Sequence, residues 1–254
     1  MNTDIFLDTP VWAISIGLLV MLLVAREVGH WLRGRIGSAQ ATDNDFAMTS
    51  VLGLLALFIG FTFSIALGKF EQRRQLVIAE SNAIGTTWLR TSQLDAPERD
   101  RVRAVLRAYV DARVAYGNAS DRKAESDARR KTEALQAQLW DTVTQAVASF
   151  RDSPRASLLI TTTNDSIDLA AERFAERESH VPTRILRLLG LFAAVSAALV
   201  GFHRGDQRHA TTVLFLLLTL AIALVLDLDR PTTGLTQVTQ QPMLDLQKSI
   251  RGQG

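Results

Sequence analysis

Residues able to do chemistry are few in this chain, and their spacing limits what that chemistry can be. There are 4 histidines and no cysteine, which removes disulfides, thiolate catalysis and cysteine metal sites. His203 and His209 flank a short loop with Asp206, a spacing that matches no ligand pattern on one helix face. No nucleophile–base pair, phosphate-cradling loop or dinucleotide fingerprint occurs. The sequence therefore reads as a non-enzyme with no cofactor and no metal. What remains is a set of polar residues among apolar ones: Glu80 and Asn82, Asn164 and Asp168, and Asp227, Asp229 and Arg230. At the edge of a helical core such residues fix register through hydrogen bonds; facing a cavity, they would line an ion path or a ligand pocket. Asp227, Asp229 and Arg230 stand where a membrane span ends and would act as boundary anchors. Arg99, Arg103 and Arg107 recur every four residues, the spacing of one solvated helix face.

The elements that must position these residues begin with four apolar blocks, Val11–Ala25, Ala47–Gly68, Ile185–Phe202 and Thr211–Leu228. Each approaches the roughly 17–25 residues that cross a bilayer as a helix. Ile5–Leu7 and Trp12 can extend the first into the interface. The first ten residues hold two aspartates and no Lys or Arg, so the first block reads as a retained span, not a cleaved leader. Arg26–Phe46 reads as a short, positively charged connection with Trp31 at the interface, and HRGDQRHA as a tight loop between spans three and four. The expected layout is an all-α membrane protein. Residues 1–68 hold spans one and two, 69–182 a soluble helical bundle inserted between spans two and three, 183–228 spans three and four, and 229–254 a C-terminal tail.

Span two runs on without a helix breaker to about Leu94. Those 48 residues would reach roughly 72 Å, far beyond the bilayer. Ala56, Gly60, Ser64 and Gly68 form a small-residue ladder along it, suited to close helix packing. The partner is either span three, with its own Ala193–Ala197–Gly201 ladder, or further copies of span two around an axis. In the second case Phe58, Phe61 and Ile65, with Phe63 nearby, are candidates to line a hydrophobic constriction. Beyond the membrane, Phe70, Val77 and Ile84 repeat every seven residues as a seam, flanked by Leu76, Ala83 and Trp88.

The soluble region reads as further helices. Asp95 and Pro97 open one that runs to Gly117, with a face of Val102, Val105, Leu106, Tyr109, Val110 and Val114. Another covers about Asp121–Arg151, charged in its first half and apolar at Leu135, Leu139, Val143, Val147 and Phe150. Ser153–Pro154 opens a third, carrying Ile160, Ile167, Ala170 and Phe174. Lys/Arg and Asp/Glu nearly balance over 69–182, which argues against a nucleic-acid partner. Short-loop charges at Arg26, Arg33, Arg35, Arg204 and Arg208 place those loops in the cytoplasm and put both termini and the bundle on the periplasmic side of a bacterial inner membrane.

Three stretches carry a family resemblance: ALGKFEQRRQLVIAESNAIGTTWLR, NDSIDLAAERFAERESHVP and LDLDRPTTGLTQVTQQPML. Glu80 and Asn82–Thr86 of the first, and Asp227–Pro231 with Gly234 of the third, are the most specific. Together they resemble the bacterial bestrophin-like domain membrane proteins, over nearly the whole chain. The resemblance implies a pentameric anion channel whose second span lines the pore at a neck of bulky apolar residues. It also implies cytoplasmic termini, opposite to the charge count. The acidic calcium clasp of the eukaryotic members is not matched, so calcium gating is not implied. Two functions follow as expectations: a homo-oligomeric channel in the lipid bilayer with an inorganic anion as its permeant species, or a non-transporting membrane sensor or scaffold.

Overall fold

A computed structural model describes residues 9–36, 45–231 and 234–252. Asp4, Ile5–Leu7, Asp8 and Asp43 lie outside the described residues. Among the described residues the chain is helical, without strands. The α-helices are α1 (Val11–Ile36), α2 (Asp45–Arg90), α3 (Ala96–Gly117), α4 (Arg122–Ala146), α5 (Pro154–Glu178), α6 (Thr183–Arg204), α7 (Arg208–Asp229) and α8 (Gln241–Gly252). Short 3-10 turns at Thr91–Gln93 and Ala148–Phe150 follow α2 and α4. Four segments are long and apolar enough to cross a membrane; they contain α1, α2, α6 and α7. The chain divides into two compact units, one of residues 1–70 and 180–237 and another of residues 71–179 and 238–254.

In the first unit the core is built from Leu22, Leu55, Leu189, Ala193, Ala197, Val200, Phe215 and Ile222. The small-residue ladder of α6 is used against α1, not α2. A Cβ added at Gly201 would lie 2.0 Å from the Arg26 carbonyl oxygen, and one at Gly29 would lie 1.9 Å from that of Ala198. Two backbones therefore touch where only glycine fits.

α1 also continues through Arg26–Ile36, a stretch the sequence suggests as a connection. Arg26 is accommodated where the helix passes the end of the apolar block. Its guanidinium is buried and donates to Thr211 Oγ1 at 3.2 Å, Thr212 Oγ1 at 2.8 Å and the Arg208 carbonyl at 3.2 Å. Satisfied in this way, the charge can be buried in the packed unit.

The second unit is a helical bundle with Ile84, Trp88, Val102, Leu106, Tyr109, Val110, Leu139, Val143 and Leu159 at its centre. Its helix starts follow the sequence signals. Asp121 accepts from Ala124 N at 2.8 Å, Ser153 accepts from Ala156 N at 3.2 Å, and Pro97 sits in the first turn of α3. The charged first half of α4 is largely exposed and laced by i,i+3 and i,i+4 pairs such as Lys123–Asp127 and Arg129–Glu133.

The tail after α7 holds a helix. α8 buries Met243 and Ile250 in the bundle core, and Ser81 Oγ donates to the Pro242 carbonyl at 2.9 Å. Asp111 accepts from Gln247 at 2.7 Å and from Arg251 at 2.8 Å.

Candidate functional site

The membrane part of α2 has two unlike faces. Leu55, Thr62 and Ala66 are buried, and Thr62 Oγ1 folds back onto the Phe58 carbonyl at 2.8 Å. The opposite face holds Ser50, Gly53, Ala56, Leu57, Gly60, Phe61, Ser64 and Gly68, all exposed in the single chain. A Cβ built at Gly53, Gly60 or Gly68 would meet nothing within 4 Å. The Ala56–Gly60–Ser64–Gly68 ladder is thus uncovered within the chain.

The three constriction candidates are not equivalent. Phe61 is 60% exposed and Ile65 42%. Phe58 is half-buried and packs against Phe192 with ring centroids 5.7 Å apart. Phe63 joins a separate cluster with Ala66, Val181, Val225 and Leu228.

The polar motif residues fall into three groups. Glu80 is fully buried. Its carboxylate accepts from the Nε of Arg113 and from Arg173 Nη1, and Arg113 Nη2 lies 3.2 Å from Oε2. Arg173 Nη2 continues to Gln240 Oε1 at 2.9 Å. Arg113 also lies over the rings of Tyr116 and Phe174, at 4.8 and 4.7 Å. These rings meet edge to face, with centroids 4.7 Å apart.

Two cations sharing one anion leave a net positive charge inside the bundle. Aromatic faces offset part of that cost. Burial lowers the Arg173 guanidinium from its usual range, and Glu80 opposes that shift. Burial also pushes the Tyr109 phenol up to about 12; its hydroxyl donates to the Ser166 carbonyl at 3.2 Å. Tyr116 rises to about 12 for the same first cause.

Asn82, Asn164 and Asp168 are exposed, and Asn164 Nδ2 donates to Asp168 Oδ2 at 2.7 Å within one helix face. They are not part of the Glu80 network.

Asp227, Asp229 and Arg230 are buried at the end of α7. Asp227 accepts from the backbone N–H of Leu235 at 2.6 Å and Thr236 at 2.9 Å. Asp229 accepts from Val181 N at 2.8 Å, tying the entry of α6 to the exit of α7. A Cβ at Gly234 would lie 2.7 Å from the Asp227 carbonyl oxygen, so the turn closes only on glycine. Asp227 and Asp229 thus both bind backbone amides at this end of α7. His203 stacks edge-on with Phe202, while Asp206 and His209 are exposed.

Sequence reasoning found Glu80 but missed Arg113 and the role of Arg173. A signal was present: Arg113 continues the apolar stripe of Leu106, Tyr109 and Val110 and precedes Tyr116 by one turn. An arginine in such a stripe needs a buried counter-charge.

No curated protein matches the sequence significantly. A model of the bestrophin-like domain family matches residues 11–243. Among solved structures, a bacterial bestrophin homologue from Klebsiella pneumoniae in variant form is 13% identical with a TM-score of 0.72, covering 93% of this chain and 97% of that one. A second structure of the homologue is 14% identical with a TM-score of 0.71, over 94% and 96% of the two chains. At such identity the likeness establishes the fold. The chain belongs to the bestrophin-like family and has the bestrophin fold.

Proposed function

We propose that this chain is the subunit of a homo-oligomeric anion channel of the bacterial inner membrane, with the uncovered face of α2 lining a central path. The observation that carries the reading is the contrast between exposed faces. α1 exposes Ile16, Val20 and Val24, and α7 exposes Leu216, Leu217, Leu220 and Leu224, as lipid-facing helices do. α2 instead carries an exposed run of small residues, Gly53, Ala56, Gly60, Ser64 and Gly68, set among the larger exposed Leu54, Leu57, Phe61, Ile65 and Leu67. Small and hydroxyl residues gain little from acyl chains; they suit close approach of copies or a path between them. Phe61 and Ile65 are the constriction residues of this reading, and Phe58 supports them from behind.

In the same reading the helical bundle is inserted between spans two and three, and α2 is continuous with its stalk. An inorganic anion is the permeant species of this reading, supported by family membership, with chloride the first to assay. The decisive experiment is chloride flux in liposomes together with native mass in detergent. Flux from a particle of several copies supports the channel. A monomer without flux sinks it and leaves the non-transporting reading.

A further inference from the structure

The arginine row of α3 is a charged surface that the channel reading does not use. Arg103 lies 4.7 Å and Arg107 5.1 Å from the centroid of the Trp88 ring, which is 2% exposed. Arg103 Nε donates to Thr91 Oγ1 at 2.9 Å. Several other arginines of the bundle meet carboxylates: Arg74 with Glu71, Arg101 with Glu98, Arg129 with Glu133, Arg177 with Glu125 and Arg251 with Asp111; Arg90 instead donates to the Leu158 carbonyl and Arg155 lies over the Phe150 ring. Among the described residues neither Arg103 nor Arg107 makes an ion pair. Arg99 reaches only its neighbour Asp100, at 3.3 Å. The row of three guanidiniums thus has one paired carboxylate, the exposed Asp100 on Arg99. Arg103 is held below its usual range, first by burial and then by the charges of Arg99 and Arg107.

We propose that Arg99, Arg103 and Arg107, seated on Trp88, form a binding site for a multivalent phosphate-type oxyanion. Four-residue spacing puts successive arginines about 6 Å apart along the helix, so the row spans about 12 Å. Its width fits two or more linked tetrahedral oxyanions. The planar fork of a guanidinium matches a phosphoryl group in a way that a single halide cannot use. The indole floor and the Thr91 hydroxyl hold Arg103 in place before a ligand arrives, which lowers the entropic cost of binding. The crowding of like charge is relieved when the anion binds. The site is independent of ion conduction.

The test uses the full chain in detergent with Trp12→Phe, Trp31→Phe and Trp140→Phe, leaving Trp88 as the only indole. Inorganic pyrophosphate, orthophosphate and chloride are titrated at constant ionic strength. A saturable change in Trp88 emission is expected with pyrophosphate, at concentrations well below those at which orthophosphate or chloride acts. R103Q/R107Q should weaken it about 100-fold, roughly tenfold for each charge-assisted contact removed. R99Q, which leaves the Trp88 stack intact, should weaken it about tenfold. No saturable response, or equal curves for wild type and both variants, overturns the proposal. So does loss of the oligomer in R103Q/R107Q by native mass, which would make the row a contact between copies.

Discussion

Removing the charge of Glu80 should cost more stability than any other single-atom exchange in the bundle. Glu80→Gln keeps the shape and leaves two buried guanidiniums without a counter-ion. Arg113 and Glu80 have side chains 0% exposed, and Arg173 is 6% exposed. Breaking a buried pair by removing one partner costs about 3–5 kcal/mol. Arg113 has no other carboxylate, and its Nη1 already lacks a hydrogen-bond partner, so the upper half of that range is expected. At about 3 °C per kcal/mol for a domain of this size, the melting temperature should fall by about 12–15 °C. The control is the exposed pair Arg101–Glu98, where Glu98→Gln should cost at most about 1 kcal/mol. Melting is followed by circular dichroism of the purified protein in detergent. Arg113→Met in the Glu80→Gln background should restore part of the loss, because it removes the stranded charge. A fall of less than about 3 °C, or additive losses in the double variant, refutes the idea that Glu80 is the counter-ion of the core.

Further expectations can be measured on the same preparation. Phe61→Ala should change chloride conductance in liposomes while leaving melting nearly unchanged; unaltered current removes Phe61 from the constriction. Gly201→Val and Gly29→Val should abolish stable expression, because each side chain would enter the facing backbone, whereas Gly17→Ala, with open space around it, should be tolerated. The chain has 2 tyrosines, both with phenols raised to about 12 in the folded state. A raised phenol favours the folded state fully below the unfolded value near 10, and that contribution is lost as pH climbs toward 12. Each tyrosine should therefore withdraw about 2–3 kcal/mol over that window, seen as falling melting temperature. An ordinary phenolate absorbance titration near pH 10 in the folded protein would contradict this. Alkaline phosphatase fused after Gly254 reads orientation: activity supports the outward placement of termini drawn from loop charge, and silence supports the inward one implied by the family.

Much of the fold is legible in the sequence because periodicity and helix signals are local. The faces of α3, with Val102, Leu106 and Tyr109, and of α4, with Leu139 and Val143, are buried as their spacing predicts. So are Val77 and Ile84 of the α2 seam. What the sequence hides are partners distant along the chain. Glu80 meets Arg113 and Arg173 across gaps of 33 and 93 residues, and no local pattern encodes such pairing. The burial of Arg26 within α1 is matched by two threonines more than 180 residues away. The α6 ladder announces close packing but not its partner; only the assembled unit shows that α1 supplies Gly29 against it. Which face of α2 is left uncovered is likewise a property of the packed chain, since its apolar run has no polar side to mark it.

The placement of α8 has a consequence for how the protein is made. Residues 71–179 of the bundle leave the ribosome well before residues 238–252 exist, and between them come the two spans Thr183–Arg204 and Arg208–Asp229. Until those spans are synthesised, the seats of Met243 and Ile250 stand open, and Arg173 lacks Gln240. Bundle closure is thereby ordered after the synthesis of the last hairpin. A nascent chain whose hairpin goes astray would carry a gap in its bundle core, a surface that chaperones and proteases recognise.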